Sequence, residues 1–241
     1  MYDYKAPMQA MWTVYDGIGE KADVIGIAWE REDGNVYRYD FPIPRRLDPD
    51  AVKFTRHVAE RVAKFVLWAA GGRKLYIAGP DEIVKPIAKA YTKRGARAFD
   101  YDFFTSIYGE KVEAEVVPYK KLPGFAEKTS VVKPVANGCR IGFDLGASDF
   151  KISALKNGKV VFSEEFPWDP RNNADPEYHY TQLTRGLKAA AAHLPRVDAI
   201  GGSTAGVLVG QKIGIASLLR AVKEKNPSKF EEAQRMFFRI E

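Results

Sequence analysis

Short apolar runs separated by turn residues organise the first half of the chain. Residues 22–29 and 36–43 are mostly apolar and flank Asp33-Gly34, and an Asp-Gly pair between two such runs favours a β-hairpin. Residues 74–78 form another apolar run, which ends at glycine and proline, and residues 112–117 form a weaker one. The pattern therefore predicts four strands before residue 118.

Apolar residues recur at helical spacing between these predicted strands. Asp48 precedes Pro49, and the apolar pattern then continues to Gly71. A side-chain oxygen before the first turn, a proline within it and a glycine after the last turn are typical of a helix. We therefore expect a helix over this segment and a second one over residues 81–93.

The second half of the chain shows the same alternation of strands and helices. Strands are predicted at residues 140–145, 150–155, 160–166 and 197–201, and helices at residues 175–193, at residues 214–225 and from Ser228 to the end. Asn157-Gly158 is a hairpin signal between two of these strands. Residues 203–206 are small and are interpreted as a tight turn.

Two α/β units joined by a linker account for this order of elements. Prolines and a glycine interrupt the pattern over residues 118–138, which we interpret as the linker between units 1–117 and 139–241. The two units share a plan of hairpin, helix and short strand. This plan is compatible with a weak internal repeat and equally with chance, because the same succession recurs throughout α/β proteins.

The composition is that of an ordinary globular protein. Hydrophobic residues make up 46% and charged residues 28% of the chain, which excludes an extended disordered protein. The net charge of +6 is dispersed, and its densest basic stretch, at Lys93, Arg94 and Arg97, is too sparse for a nucleic-acid-binding arm. Nucleic acid is therefore not an expected partner, whereas formation of a homo-oligomer stays open.

The cysteine count and the length of the apolar runs exclude further classes. Cys139 is the single cysteine, so neither an intrachain disulfide nor a thiolate-rich metal site can form. The first ten residues lack the pattern of a signal peptide, and the longest apolar stretch, residues 65–70, is too short to span a bilayer. We therefore expect a cytoplasmic protein without a membrane partner.

The segment with candidate chemistry begins at the end of a predicted strand. A carboxylate there can hold Mg²⁺, and turn amides and a hydroxyl can donate to phosphate oxygens. A glycine lets the backbone approach a ligand closely, and a lysine adds positive charge. The candidate nucleotide ligands are Asp144, Gly146, Ala147, Ser148 and Lys151, with Asp144 as the metal ligand.

This segment resembles the first phosphate loop of the actin-like ATPase superfamily, which includes sugar kinases, heat-shock chaperone ATPases and actin. That loop has the form Asp-x-Gly-x-Thr/Ser-x-x-Lys, which Asp144, Gly146, Ser148 and Lys151 match in spacing. The resemblance implies a ribonuclease-H-like half-domain of the actin-type ATPase fold, with ATP and Mg²⁺ as cofactors.

A second segment, residues 197–206, contains the pattern Asp-x-Ile-Gly-x-x-x-x-Gly. It resembles a strand and turn in the N-terminal lobe of the bacterial repressor, open-reading-frame and kinase family, the ROK family. This resemblance implies an ATP-dependent sugar kinase, a transferase of carbohydrate metabolism. In such a kinase Ser203, Thr204 and Gly206 would lie near the sugar.

The chain also departs from this family. Ala147 and Ser148 stand where glycine and threonine are usual, and Asp149 adds a negative charge that would repel phosphate unless it faces away or binds metal. The Asn-Asp pair of the catalytic aspartate, the second phosphate loop and the zinc cluster are missing from this sequence. We therefore assign no catalytic residue and expect the chain alone to be inactive, either as a fragment of a longer kinase-like protein or as a degenerate module.

Other interpretations of the same residues remain open. Asp144 with Gly146 is also compatible with a plain strand-to-turn junction, and Lys151 with a solvated side chain. At the level of function, the alternatives are a non-catalytic nucleotide- or sugar-sensing module and a structural scaffold. Ala28 stands in the first unit where Asp144 stands in the second, so the first unit is not expected to bind metal by this motif.

Several remaining side chains are interpreted as structural. Cys139 is expected to be buried, and the three histidines are not expected to bind metal because none has a partner at ligand spacing. Aromatic residues on predicted helices, among them Phe65, Trp68 and Phe238, are expected in the core.

Overall fold

The computed structural model describes residues 22–45, 47–128, 137–210 and 212–240, which belong to two units, Met1–Ser130 and Val131–Glu241. The first unit contains the strands β1 (Ala22–Glu30), β2 (Val36–Pro44), β3 (Lys74–Ala78) and β4 (Glu113–Val116) and the helices α1 (Pro49–Ala70), α2 (Asp81–Ala90) and α3 (Ala98–Tyr108). The second contains β5 (Cys139–Leu145), β6 (Asp149–Lys156), β7 (Lys159–Pro167), α4 (Pro176–Ala191), β8 (Ala199–Thr204), β9 (Gly206–Val209), β10 (Lys212–Ala216), α5 (Arg220–Lys225) and α6 (Phe230–Gln234).

A four-stranded sheet in the order β2-β1-β3-β4 forms the centre of the first unit. The predicted hairpin joins β1 to β2. In its turn Gly34 has a φ of +77°, and the carboxylate of Asp33 accepts the backbone N–H of Asn35 at 3.0 Å. β3 runs antiparallel to β1 and parallel to β4. The four strands predicted for this part of the chain are confirmed.

Helix α1 forms where the sequence predicts it because both of its ends carry the expected signals. The carboxylate of Asp48 caps the first turn, and Gly71 follows the last turn with a φ of +78°. The helix is tied to the sheet by Trp29 of β1, which donates its indole N–H to the carbonyl of Ala63 at 2.9 Å. In the described part of the chain, no helix is both long and apolar enough to cross a membrane.

Helix α3 was not predicted, and it packs against α1 through aromatic rings. The ring centroids of Trp68 on α1 and Phe103 on α3 are 4.9 Å apart. The indole N–H of Trp68 also donates to the buried carboxylate of Asp100 at 2.8 Å. The segment has little helical periodicity of its own, so its helix depends on these contacts with α1.

Residues 118–128, interpreted from the sequence as part of a linker, pack on the first unit. Leu122 is buried, and Val36 and Ala126 form a β-bridge. The backbone N–H of Lys128 donates to the side-chain carbonyl of Asn35 at 2.7 Å. The two units are divided after Ser130, and residues 129–136 of the interpreted linker lie outside the described residues.

Three aromatic residues expected in the core lie at the surface instead. Phe65, Trp68 and Phe238 are 71%, 43% and 53% exposed. On α1, Leu67 is fully buried while its neighbours Phe65 and Trp68 are exposed, because the apolar residues extend around more of the helix than the sheet covers. The expectation was wrong for these residues, whereas Cys139 is buried as predicted.

The second unit has a four-stranded sheet in the order β7-β6-β5-β8. β5, β6 and β7 form consecutive antiparallel pairs, and after helix α4 the strand β8 lies parallel beside β5. Three antiparallel strands followed by a crossover helix and a parallel strand beside the first are the topology of a ribonuclease-H-like half-domain. The predicted fold class, α/β with such a half-domain preceded by a small α/β unit, is confirmed.

Local signals place the turns of this second sheet. Asn157 and Gly158, between β6 and β7, have φ values of +53° and +78°, as expected for a tight hairpin with two left-handed residues. The carboxylate of Asp175 accepts the backbone N–H of Glu177 at 3.0 Å and caps α4. Pro176 follows as the first helical residue.

The end of the second unit differs from the prediction. β8 continues to Thr204, so Ser203 and Thr204 lie in a strand, and Gly206 begins β9 rather than ending a tight turn. The helix predicted from residue 214 begins only at Arg220, because β10 pairs antiparallel with β9. The apolar residues that were read as helical belong partly to this hairpin.

The two sheets do not share one topology. The strand after the first helix is antiparallel to the opening strand in the first unit and parallel to it in the second. The second unit also has one more antiparallel strand before its helix. The common order of hairpin, helix and strand therefore does not reflect a repeat of one fold.

Candidate functional site

The carboxyl ends of β5 and β8 lie side by side at one edge of the second sheet. The parallel register pairs Asp144 with Ser203 and Leu145 with Thr204. The backbone N–H of Ala205 donates to the carbonyl of Leu145 at 3.3 Å. Ligands of open α/β sheets bind outside the carboxyl ends of the strands. The fold thus brings together the two segments that the sequence analysis singled out, although 59 residues separate them.

Asp144 lies exposed at this edge, between two neighbouring strands. Lys151 on β6 and Ser203 on β8 are its cross-strand neighbours. The hydroxyl of Ser203 donates to Oδ1 of Asp144 at 2.6 Å. Oδ2 of Asp144 has no hydrogen bond within the described residues, so one carboxylate oxygen is held and the other is free for a ligand.

Gly146 closes the turn between β5 and β6. Its backbone N–H donates to the carbonyl of Asp149 at 2.9 Å, and its own carbonyl accepts the indole N–H of Trp168 at 3.1 Å. A Cβ at this position would lie 2.6 Å from the carboxylate of Asp149. The turn itself therefore requires glycine, and both backbone polar groups of Gly146 are already engaged.

The next two residues leave their donors open. The backbone N–H groups of Ala147 and Ser148 make no hydrogen bond among the residues that the structure describes, and the side chain of Ser148 is exposed. Successive free amides in a turn form a concave surface that favours anions. Together with the Ser148 hydroxyl they provide up to three donors beside Asp144.

Asp149 and Lys151 form an ion pair next to this turn. The Nζ of Lys151 lies 2.6 Å from Oδ2 of Asp149 and 4.0 Å from Oε2 of Glu165. The hydrogen bond between the pair lowers the pKa of Asp149 and raises the pKa of Lys151. The additional negative charge of the turn is therefore compensated, and Lys151 is directed to Asp149 rather than free to contact a phosphate.

The donor set fits magnesium bound together with a nucleotide. Among the described residues, no group of three or more His, Cys, Asp or Glu side chains could hold a metal by itself. Mg²⁺ commonly keeps several waters and uses one or two carboxylates with substrate phosphates. Asp144, exposed and with Oδ2 open, matches that mode and does not match a metal site built from protein ligands alone.

Trp168 supports this edge and was not identified from the sequence, whereas Asp198, the aspartate of the second motif, joins the amino ends of β5 and β8. Trp168 is buried behind the turn and bonds to Gly146. Asp198 accepts the backbone N–H of Cys139 at 2.7 Å and the guanidinium Nε of Arg196 at 2.6 Å, and these contacts lower its pKa. A lone tryptophan after β7 carries no sequence signal for its contact, and the contacts of Asp198 depend on the parallel pairing of β5 with β8.

Two histidines of the second unit, His179 and His193, make structural contacts. His179 is fully buried on α4, with Nδ1 3.1 Å from the carbonyl of Asp175 and Nε2 2.9 Å from the carbonyl of Leu218. His193 stacks on the ring of Phe162 with centroids 4.5 Å apart. Both therefore have an evident role in packing.

No protein-family model and no curated protein matches the chain. Solved structures similar to it include an exopolyphosphatase-like protein, with 14% identity over 75% of this chain and 62% of that one and a TM-score of 0.22. They also include the PPX-GPPA enzyme of Aquifex aeolicus, with 14% identity over 75% and 64% and a TM-score of 0.20. An exopolyphosphatase from Cytophaga hutchinsonii shows 9% identity over 76% and 64% and a TM-score of 0.23.

The chain spans less than two thirds of the length of these structures. Enzymes of the Ppx/GppA type belong to the actin-like ATPase superfamily, and none of the three is described as a sugar kinase. At these identities and TM-scores, the similarity assigns neither a family nor an activity to this chain. The ribonuclease-H-like assignment rests on the strand order and direction of the second sheet.

Proposed function

We propose that the edge formed by β5 and β8 binds the phosphates of a nucleoside triphosphate together with Mg²⁺. The observation that carries this proposal is the pair of open amides at Ala147 and Ser148 directly after the exposed carboxylate of Asp144. Open amides favour phosphate, and a carboxylate with a free oxygen favours the metal that accompanies it.

The backbone and side-chain groups at this edge have distinct roles in the proposed site. The two amides and the Ser148 hydroxyl donate to phosphate oxygens, and Asp144 holds Mg²⁺ through Oδ2. Lys151 neutralises Asp149 at 2.6 Å, which removes a repulsion that would oppose phosphate binding. Gly146 keeps the turn tight, and Trp168 fixes it from behind. Mg²⁺ when bound supplies charge neutralisation of the phosphates.

A finer proposal concerns the second substrate. The β8–β9 connection, with Thr204 and Gly206, lies next to the phosphate turn and is suited to a sugar hydroxyl, as in a ROK-type sugar kinase. Phosphoryl transfer also needs a group that positions or deprotonates the hydroxyl. We assign no residue of this chain to that task, so a nucleotide- or sugar-sensing module is the alternative.

Calorimetric titration of the full chain with ATP in the presence of Mg²⁺ tests the phosphate site. The wild type is expected to bind, and Asp144→Ala to lose most of the Mg²⁺-dependent affinity. Asp23→Ala is the matched control, because Asp23 is an aspartate on the opening strand of the first unit. Binding that is unchanged in Asp144→Ala, or no binding by the wild type, would contradict the proposal.

A second experiment separates the kinase from the sensor. The full chain is incubated with ATP, Mg²⁺ and a panel of hexoses, and products are followed by mass spectrometry. A phosphorylated sugar with release of ADP supports the kinase. Binding of nucleotide without any product shows that this chain alone does not transfer phosphate, as expected for a sensing module or for a fragment of a longer kinase.

A further inference from the structure

We propose that Ser203 is a positioning residue, whose hydroxyl orients Asp144 for the metal instead of contacting the substrate. This inference rests on the proposed nucleotide site. It revises the expectation from the sequence, in which Ser203 was a candidate substrate residue.

The bond between the two side chains follows from the sheet. The parallel register places Ser203 directly beside Asp144, on the same face, and Oγ lies 2.6 Å from Oδ1. This distance is typical of a hydroxyl that donates to an ionised carboxylate. A serine hydroxyl has one hydrogen to donate, so while it holds Asp144 it cannot also donate to a sugar.

No other side chain replaces this donor within the described part of the chain. Lys151 faces Asp144 across the opposite strand pair, yet its ammonium group is bound to Asp149 at 2.6 Å and lies 4.0 Å from Glu165. A carboxylate rotates broadly about its last torsion. The bond from Ser203 therefore restricts Asp144 to an orientation in which Oδ1 is engaged and Oδ2 is open.

The same bond links the two segments of the site. Asp144 precedes the phosphate turn, whereas Ser203 precedes the β8–β9 connection proposed for the substrate. Thr204, whose hydroxyl lies 3.4 Å from the carbonyl of Leu145, makes only a long bond. The substrate contacts are thereby assigned to Thr204 and the backbone near Gly206, and the metal contact to Asp144 with Ser203.

The test is binding of Mn²⁺·ATP to the full chain, measured by the enhancement of water-proton relaxation that follows when Mn²⁺·ATP is immobilised on the protein. Ser203→Ala is expected to weaken this binding about tenfold, as for the loss of a hydrogen bond to a charged group. Ser203→Thr keeps the hydroxyl and is expected to restore binding. Ser153→Ala, on the same face of the sheet, is the matched control and is expected to bind as the wild type does.

The outcomes distinguish this inference from the proposed function. If the wild type fails to bind Mn²⁺·ATP, the nucleotide site itself is refuted, and the role of Ser203 with it. If the wild type binds and Ser203→Ala binds equally well, only the role of Ser203 is refuted. A loss that Ser203→Thr does not restore, or that accompanies a lower melting temperature of the ligand-free protein, would show a merely structural role and would also overturn the inference.

Discussion

The opening strands of the two units, β1 and β5, share an apolar pattern but present different surfaces. Ala28 of β1 is fully buried, whereas Asp144, at the corresponding place in β5, is exposed. Ala28 lies in a cluster with Leu122, from the segment that follows β4. The face that carries Asp144 in the second sheet is thus covered in the first.

The two corresponding glycines show the same difference. A Cβ at Gly26 would lie 2.5 Å from Leu122 and 2.8 Å from Asp40, whereas a Cβ at Gly142 would meet only Ser153, at 3.6 Å. Glycine is required at position 26 because the segment that contains Leu122 packs onto β1 there. At position 142 a methyl group would have room, so glycine is not required. A strand-and-turn pattern can become a binding site only where its polar face stays open, and this holds for the second unit.

The largest effect is expected when the two positions are exchanged. Ala28→Asp places a carboxylate at a fully buried position, where its cross-strand neighbour Arg38 is already bonded to Asp40. We expect it to destabilise the first unit by at least ~3 kcal/mol, the scale of an uncompensated buried charge. Asp144→Ala is expected to change stability by less than about 0.5 kcal/mol, as for an exposed residue.

Hydrogen exchange of the backbone amides of β1 and β5 at increasing urea concentrations gives the free energy of unfolding of each unit separately, for both variants. A well-folded first unit in Ala28→Asp would show that the face around Ala28 is not closed. It would remove the structural basis of the comparison.

A smaller effect is expected when alanine replaces the paired glycines. Gly26→Ala forces Leu122 and Asp40 to move and should cost about 1–3 kcal/mol, as overpacking does. Gly142→Ala has room and is expected to be neutral or slightly stabilising, because alanine loses less backbone entropy than glycine. The free energies of unfolding of the two variants decide this, and equal losses at both positions would contradict the difference in covering.

Acidification is expected to weaken the second unit through Asp198. The guanidinium of Arg196 and the backbone N–H of Cys139 lower the pKa of this carboxyl in the folded state. Its contribution is therefore complete above the unfolded pKa of about 4, and it is lost as the pH falls through the lower folded pKa. Asp198→Asn should be less stable than the wild type at pH 6, with the difference shrinking below pH ~4.

Urea unfolding curves of both proteins between pH 6 and pH 3, read at β5, measure this difference. In the second unit, Asp198 joins the starts of the parallel strands β5 and β8. In the first unit β3 is antiparallel to β1, so the starts of these two strands do not lie side by side. A constant difference across this pH range would rule out the ion pair and hydrogen bond as its source.

The smallest effect concerns the charge beside the phosphate turn. Lys151→Met leaves Asp149 without its partner, so Mg²⁺·ATP binding should weaken a few-fold through repulsion. In the double variant that also carries Asp149→Asn, affinity should return to near that of the wild type. Calorimetric titrations of the single and double variants test this, and a loss that persists in the double variant would point to a direct contact of Lys151 with phosphate.

Local signals explain which elements could be predicted from the sequence. Some signals act within a few residues, such as the turn pairs Asp33-Gly34 and Asn157-Gly158 and the cap at Asp48. The strands and the helix next to these signals are confirmed. Helix α3 depends instead on the packing of Trp68. The β9–β10 hairpin was missed because the sequence analysis assigned residues 207–213 to no element and residues 214–216 to a helix.

The phosphate turn of the candidate site could be predicted from the sequence, whereas the contacts that join this turn to distant residues could not. Asp144 and Ser148 stand in a local motif. The contacts of Asp144 with Ser203 and of Gly146 with Trp168 join residues 59 and 22 positions apart. Such contacts depend on strand order and direction, which a single sequence does not encode locally. The role of Ser203 could therefore emerge only from the folded sheet.

The most direct test of the account is hydrogen exchange of the full chain with and without saturating Mg²⁺·ATP. We predict protection of the amides of Ala147 and Ser148 and of the neighbouring β8–β9 connection, with no change in β1 or β2. Protection in the first unit alone, or unchanged exchange at Ala147 and Ser148 while ATP is bound, would contradict the claim that the open edge of the second sheet is the nucleotide site.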